Sequence, residues 1–314
     1  MRRGLVTEDR QSLPRGGFSR QAPALRRKTP AVVTGRPGHV GKEGAARYTG
    51  PRQPRRPCVV LKWKVPMKIL LANAHPYIPQ MVGGAQSSIN DLAKEFAARG
   101  HEVSVLGGLT GKGRLGAMSR VKLKLNRRGY VVDRTLGYPV YRAWFPWEVA
   151  ADVARRVGAD VVVPQSLFPV KIAQALDGVD TRVVIYLRNA EVEDLGGSLH
   201  GLKGVTYVAN SNFTARRFRE LFDVHAEVVY PLIRRETYET ETTRENVTFI
   251  NPHPRKGLEV ALGVAARCPE IPFVFVAGWM LESDDRARLM ERLAALPNVT
   301  LRPSTSDMKS VYGK

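Results

Sequence analysis

Cysteine is nearly missing from this 314-residue chain: Cys58 and Cys268 are the only two, too few for a disulfide framework or a cysteine-rich zinc site, and compatible with a reducing compartment. The six histidines include no HxxxH or HExxH spacing, so metal-first catalysis finds no motif. No apolar run approaches the roughly 18 residues of a membrane-spanning helix. The N-terminus also lacks the apolar run and small-residue cleavage site of a secretory signal. What remains, at 43% hydrophobic and 25% charged residues, is the composition of an ordinary globular protein, and a cytoplasmic location is expected.

Acidic residues are scarce at one end. Residues 1–66 hold 16 Lys and Arg against three Asp and Glu, a net +13 of the chain's +20. This segment is rich in Arg, Pro and Gly and has no sustained apolar period. It cannot bury enough surface to offset its chain entropy, so it reads as a disordered basic extension. Met67 opens MKILLANAHP, which reads as the natural start of a first strand, and the extension then reads as an over-extended reading frame. A basic arm for nucleic acid or anionic membrane, or a targeting segment, are the alternatives.

From Lys68 onward short apolar runs alternate with amphipathic helical stretches, the pattern of βαβ units around a parallel sheet. Strands are expected at Lys68–Asn73, Glu102–Leu106, Val131–Val132, Val140–Ala143, Asp160–Val163, Arg182–Leu187, Gly204–Ala209 and Ala226–Tyr230. Helices are expected at Ala85–Arg99, Trp147–Val157, Val170–Leu176 and Thr214–Phe222. The Gly- and Lys/Arg-rich stretch 107–129 is expected to be a flexible surface excursion. Its Gly111-Lys112 pair does not make a phosphate loop, because Leu106 and Gly113 stand where the first glycine and the Ser/Thr would be. The polar stretch 234–246 reads as a linker after a first Rossmann-like domain at 67–233. Residues 247–314 then start a second: strand Val247–Ile250, helix Leu258–Arg267, strand Phe273–Ala277, helix Asp284–Ala295 and strand Val299–Leu301.

In open parallel sheets ligands bind at the carboxyl ends of the strands. Gly83 and Gly84 close the loop after the first strand and open a helix, where free N–H groups and the positive dipole end attract an anion; a plain tight turn is the alternative. The second such segment is Asn251–Gly257 (NPHPRKG). There Lys256 is placed to neutralise a diphosphate and Gly257 to allow close backbone approach, against the alternative of a solvated basic turn.

Three segments, HPYIPQMVGGAQSSINDLAKEFAARGHEVSVL, VANSNFTARRF and VTFINPHPRKGLEVALGVAARCPEIPFVFVAGW, resemble in order and separation those of family 4 GT-B glycosyltransferases, over residues 67–314. The resemblance implies retaining transfer from a nucleotide-diphosphate sugar without a required metal or organic cofactor, the first domain holding an acceptor (glycan, lipid or small molecule) and the second the donor. Carried over, Gly83 and Gly84 approach the donor phosphates, and Lys256 is the catalytic residue, stabilising charge on the leaving group with Arg255 beside it. Arg188 stands where relatives often carry a His and is a candidate for phosphate or acceptor; pairing with Glu191 or Asp194 on the surface is the alternative. His75 is a candidate sugar contact or a structural loop histidine. The family's E-x7-E pair has no counterpart, since no two glutamates here are eight positions apart. On that basis the chain is expected to be a C-terminally truncated form of such an enzyme, with the activity of the fragment left open.

Other activities stay open. A GT-B sugar-nucleotide epimerase shares the architecture, and nucleic-acid binding through the basic extension is a non-enzymatic alternative disfavoured by the lack of a stacking platform or zinc module. Lys112, Arg114, Arg120, Lys122, Lys124, Arg127 and Arg128 form a basic segment for contact with anionic membrane or a solvated loop. Mass spectrometry of the native N-terminus is expected to find Met67 first; peptides from residues 1–66 would overturn the extended-frame expectation.

Overall fold

The computed structural model describes residues 65–278, 283–305 and 307–314. All but the last two residues of the extension expected to be disordered lie outside them. The chain runs β1 (Lys68–Pro76), α1 (Gly84–Ala98), β2 (Glu102–Gly108), α2 (Gly113–Leu125), β3 (Tyr130–Asp133), β4 (Val140–Ala143), α3 (Pro146–Val157), β5 (Val161–Pro164), α4 (Pro169–Ala175), β6 (Arg182–Leu187), β7 (Val205–Ala209), α5 (Asn212–Phe222) and β8 (Ala226–Val228). These strands form one sheet of order β3-β4-β2-β1-β5-β6-β7-β8, parallel except for the edge strand β3. Then come α6 (Arg235–Tyr238), β9 (Val247–Ile250), α7 (Leu258–Arg267), β10 (Phe273–Val276), α8 (Ser283–Ala294), β11 (Val299–Arg302) and α9 (Met308–Tyr312), with a second parallel sheet of order β11-β10-β9.

The two-residue side-chain period of a strand sorts the first core onto two faces. Leu70 and Ala72 of β1 and Leu106 of β2 pack with Val149, Ala150 and Val153 of α3. The alternate residues Ile69, Leu71, Val103 and Val105 pack with Ile89 and Ala93 of α1 on the other face. Because both faces are covered, the strands read in sequence as unbroken apolar runs. Helix boundaries follow from local chemistry. Pro146 stands at the first turn of α3 and Gly158 closes it in the left-handed region (φ 60°). At α5 the Ser211 hydroxyl accepts from the N–H of Thr214 at 3.1 Å. In the second domain Leu258, Leu262 and Ala265 of α7 pack on Phe273 and Phe275 of β10 and on Leu289 and Leu293 of α8.

The expectation for residues 107–129 was wrong: the stretch is the end of β2, helix α2 and a turn. Its glycines serve close packing rather than flexibility. A Cβ on Gly108 would overlap the Ala74 carbonyl oxygen and the His75–Pro76 backbone of β1, and one on Gly116 would overlap the Thr110–Gly111 backbone. The polar stretch after Ile233 also holds one helical turn, α6, whose Tyr238 ring lies 6.4 Å from that of Tyr312 on α9.

One charged side chain is fully enclosed in the first domain. Arg142 of β4 pairs with Asp133 of β3 and donates to the carbonyls of Tyr77 (3.1 Å) and Ile78 (2.6 Å), in the loop after β1. Burial alone would raise the Asp133 pKa, but the bonds from Arg142 and Thr135 outweigh it and hold the carboxyl below its usual range. The same loop is held by the Tyr77 hydroxyl, 2.9 Å from that of Tyr138, which donates to Asn90 of α1 at 2.8 Å. Gln80 completes the anchor, donating to the Thr110 carbonyl (2.8 Å) and accepting from its N–H (3.2 Å). Replacing Arg142 by Met would leave the Ile78 carbonyl without this donor and reduce the Asp133 carboxylate to its bonds from Thr135 and the Tyr77 carbonyl to its bond from the Gln80 N–H. A loss of about 3–5 kcal/mol is expected in urea denaturation; a loss under about 1 kcal/mol would show that the loop does not depend on it.

Candidate functional site

The carboxyl ends of the central strands β1, β5 and β6 meet the start of α1 and form a polar rim. Four of the residues singled out in the sequence, His75, Gly83, Gly84 and Arg188, lie on it. Gly83 precedes α1 in an extended conformation, and a Cβ on Gly84 would meet nothing within 4 Å, so the first turn of this helix is open. The N–H groups of that turn have no partner within the helix, and its dipole end is positive. Gln86 ties the turn to β1 through the Pro76 carbonyl at 3.2 Å.

Arg188 follows β6 and reaches across β5 toward that helix. Its guanidinium donates to Gln165 Oε1 at 2.9 Å and to the Ser88 hydroxyl of α1 at 2.5 Å, and it lies 4.9 Å from the centre of the Tyr186 ring. The surface ion pair with Glu191 or Asp194 does not form; among the described residues Arg188 has neutral partners, while Asp194 accepts from Asn189 at 2.5 Å. Burial lowers the Arg188 pKa, with Tyr186 opposing the shift. A half-buried cation without a carboxylate is costly unless an anion completes it. The Arg188 carbonyl accepts from Asn210 at 2.8 Å, which fixes the backbone where the cation emerges.

Sequence reasoning missed the residues that frame this cation. Gln165 and Ser166 are buried, and Gln165 Nε2, Ser166 Oγ and Asn73 Oδ1 have no hydrogen-bond partner among the described residues. Ser166 (φ 62°) and Phe168 (φ 54°) adopt left-handed backbone conformations that side chains other than glycine rarely take, and such strain concentrates at ligand sites. The one available signal was position: Gln165-Ser166 directly follows a buried strand. Ser88 carries no signal, because its partner is 100 residues away.

Lys256, Arg255 and Gly257 lie at the carboxyl end of β9 in the second domain. Asn251 leaves that strand with φ 64°. His253 Nδ1 accepts from the Arg255 N–H at 3.2 Å, and Pro254–Lys256 form a 3₁₀ turn that Gly257 (φ 84°) converts into α7. Arg255 and Lys256 are exposed. Lys256 therefore stands two residues before Leu258, the first residue of α7, at the positive end of that helix.

These features define a Rossmann-like protein of GT-B architecture. Residues 82–236 match the model of Glycosyltransferase Family 4, consistent with a chain of the GT-B, family 4 type. Among solved structures it is similar to an α-glucosyltransferase in complex with UDP and a 13-mer DNA containing a HMU base (TM-score 0.50, 13% identity, 79% of this chain and 69% of that one). It is equally similar to a putative UDP-N-acetylglucosamine 2-epimerase from Listeria monocytogenes (TM-score 0.50, 10% identity, 78% and 70%). The MnaA structure of S. aureus with UDP gives TM-score 0.50 at 10% identity, over 78% and 71%. At such identities the likeness is one of fold. No curated protein matches the chain.

His75, half-buried at the rim, has its pKa lowered by burial, against the opposing charge of Asp194. Below the ordinary value of about 6.5 the unfolded chain binds this proton before the native one does. Stability contributed here rises with pH through that window and levels off above it. His75→Gln is expected to flatten the difference in urea midpoint between about pH 5 and about pH 7; an unchanged pH dependence would show that His75 titrates normally.

Proposed function

We propose that the chain transfers a sugar, with retention, from a nucleotide-diphosphate sugar to an acceptor held by the first domain. The main support is the Arg188 guanidinium, presented without a carboxylate partner beside the open turn at Gly83–Gly84, within the segment that matches a glycosyltransferase family. In this reaction the bond from the anomeric carbon to the diphosphate breaks and its electron pair leaves with the nucleotide. The acceptor hydroxyl forms the new bond on the same face and gives its proton to the departing phosphate. Negative charge therefore grows on the diphosphate in the transition state, where fixed positive charge lowers the barrier most. Lys256 at the start of α7 is assigned that charge, with Arg255 beside it and Gly257 allowing close approach. On the first domain the open turn of α1 and Arg188 face the phosphates or an acidic acceptor, and neutral His75 offers a hydrogen bond to a sugar hydroxyl. These groups supply the positive charge without a resident metal or organic cofactor.

The relevant ligand class is a nucleotide diphosphate, and UDP, the nucleotide present in two of the similar structures, is the first to test. Calorimetry is expected to show binding that Lys256→Ala and Arg188→Gln each weaken roughly 10- to 100-fold, the value of a hydrogen bond to a charged group. Failure to bind any nucleotide diphosphate, or binding indifferent to both substitutions, would sink this assignment. With acceptor present, the anomeric configuration of the product decides retention. An epimerised sugar nucleotide formed without acceptor would replace transfer by the activity named for the Listeria protein.

A further inference from the structure

Helices α3 and α4 begin side by side at the carboxyl rim of the large sheet, and their first turns carry a row of aromatic rings that plays no part in holding phosphate. The ring of Trp147, on the first turn of α3, lies 5.5 Å from that of Phe145 at the N-cap of the same helix and 5.5 Å from that of Phe168 at the N-cap of α4. Phe145 is 51% exposed, whereas Trp147 and Phe168 are half-buried. The Lys171 ammonium sits 4.9 Å from the centres of both inner rings. The negative ring faces attract that charge, and the charge in turn fixes how the two rings stand.

A strained backbone presents the row. Phe168 takes φ 54° without a side-chain cap bond, a conformation that a bulky residue rarely adopts. Its N–H donates to the Asp194 carbonyl at 2.6 Å, and its side chain rests on Gly196, where a Cβ would come within 2.9 Å of Phe168 Cβ and Cγ. The preceding Leu167 carbonyl accepts from the Ala74 N–H at 3.1 Å, which bonds the loop of Phe168 to the loop of His75. The Asp194 charge also acts on His75. The inner end of the row therefore adjoins the polar rim, while its outer end, Phe145, opens to solvent.

We infer that this row is the acceptor track and that the acceptor is a glycan longer than one sugar, laid from the His75 rim outward over Phe168, Trp147 and Phe145. The inference rests on the reading of the first domain as the holder of the acceptor. A pyranose ring has a face of polarised C–H bonds and a rim of hydroxyls. The C–H face is drawn to the negative face of an aromatic ring, and the hydroxyls bond to charged groups at the edge of such a platform. Exposed Lys171 is the donor for those hydroxyls, and exposed Glu148, next to Trp147, the acceptor. A step of 5.5 Å taken twice suits successive linked rings better than a single one. An alkyl chain would fit the rings but would press hydrocarbon on the Lys171 ammonium and give it no partner.

The test is calorimetric titration of the full chain, with UDP present, against maltotriose, cellotriose and chitotriose, their parent monosaccharides, and octyl glucoside. At least one trisaccharide is expected to bind, and more tightly than its own monosaccharide. Phe145→Ala should weaken that trisaccharide about ten-fold and leave the monosaccharide unchanged, and Lys171→Gln should weaken it about three-fold. The trisaccharide should also shift tryptophan emission, a signal that Trp147→Phe diminishes while calorimetric binding persists. Circular dichroism reports that each variant is folded. Absence of trisaccharide binding, or binding indifferent to both Phe145→Ala and Lys171→Gln, would overturn the inference. Octyl glucoside bound in place of every trisaccharide would do the same and assign the row to an alkyl chain. UDP titration of the same proteins keeps the two readings apart: UDP bound without any glycan sinks this inference alone, whereas failure to bind any nucleotide diphosphate sinks the transfer reading beneath it.

Discussion

The guanidinium of Arg142 lies inside the first domain with its charge matched by Asp133 and two of its N–H groups spent on the carbonyls of Tyr77 and Ile78. Those two residues begin the loop that delivers Gly83 and Gly84 to the first turn of α1. A surface ion pair would contribute little to holding such a loop. An enclosed one is different, because any movement of the loop strips hydrogen bonds from a charge that has no water to replace them. The position of α1 in turn places Ser88, and Ser88 with Gln165 orients Arg188. Two arginines therefore mark opposite ends of one chain of constraint. The first has its charge satisfied by the protein, and the second has only neutral partners among the described residues.

That contrast separates a cation neutralised by the protein from one that the protein only orients. Arg142 is made harmless to the fold by Asp133, whose carboxyl it holds in the ionised form. Arg188 has a tyrosine face, an amide and a hydroxyl, which orient it without neutralising it. Around it the left-handed Ser166 and the unpartnered buried groups of Asn73, Gln165 and Ser166 break the usual rules of polar satisfaction in one place. Such violations are tolerated where a ligand shares the accounting.

Much of the fold was legible because the sheet is buried on both faces. Arg182–Leu187, Val247–Ile250 and Leu258–Arg267 were placed to the residue, since continuous apolar runs and a clear helical period leave little choice. Helix α2 was hidden because five glycines between residues 107 and 116 look like flexibility, whereas Gly108 and Gly116 are demanded by backbone approaching from β1 and from Thr110–Gly111. Arg142 was hidden because a lone arginine in a four-residue strand gives no sign that it points inward. At the rim, the glycines and Arg188 could be found from their places after strands. The partners of Arg188 could not, because Ser88 and Gln165 are joined to it by the fold rather than by spacing.

The reciprocal bonds between Gln80 and Thr110 acquire a mechanical meaning from where they lie. Thr110 is three residues ahead of α2, and Gln80 is three residues ahead of Gly83, so one side-chain amide couples the outward-facing helix to the loop at the open strand ends. Movement of either segment strains both bonds at once, so a shift of α2 is passed to the rim as a shift of the turn at Gly83–Gly84.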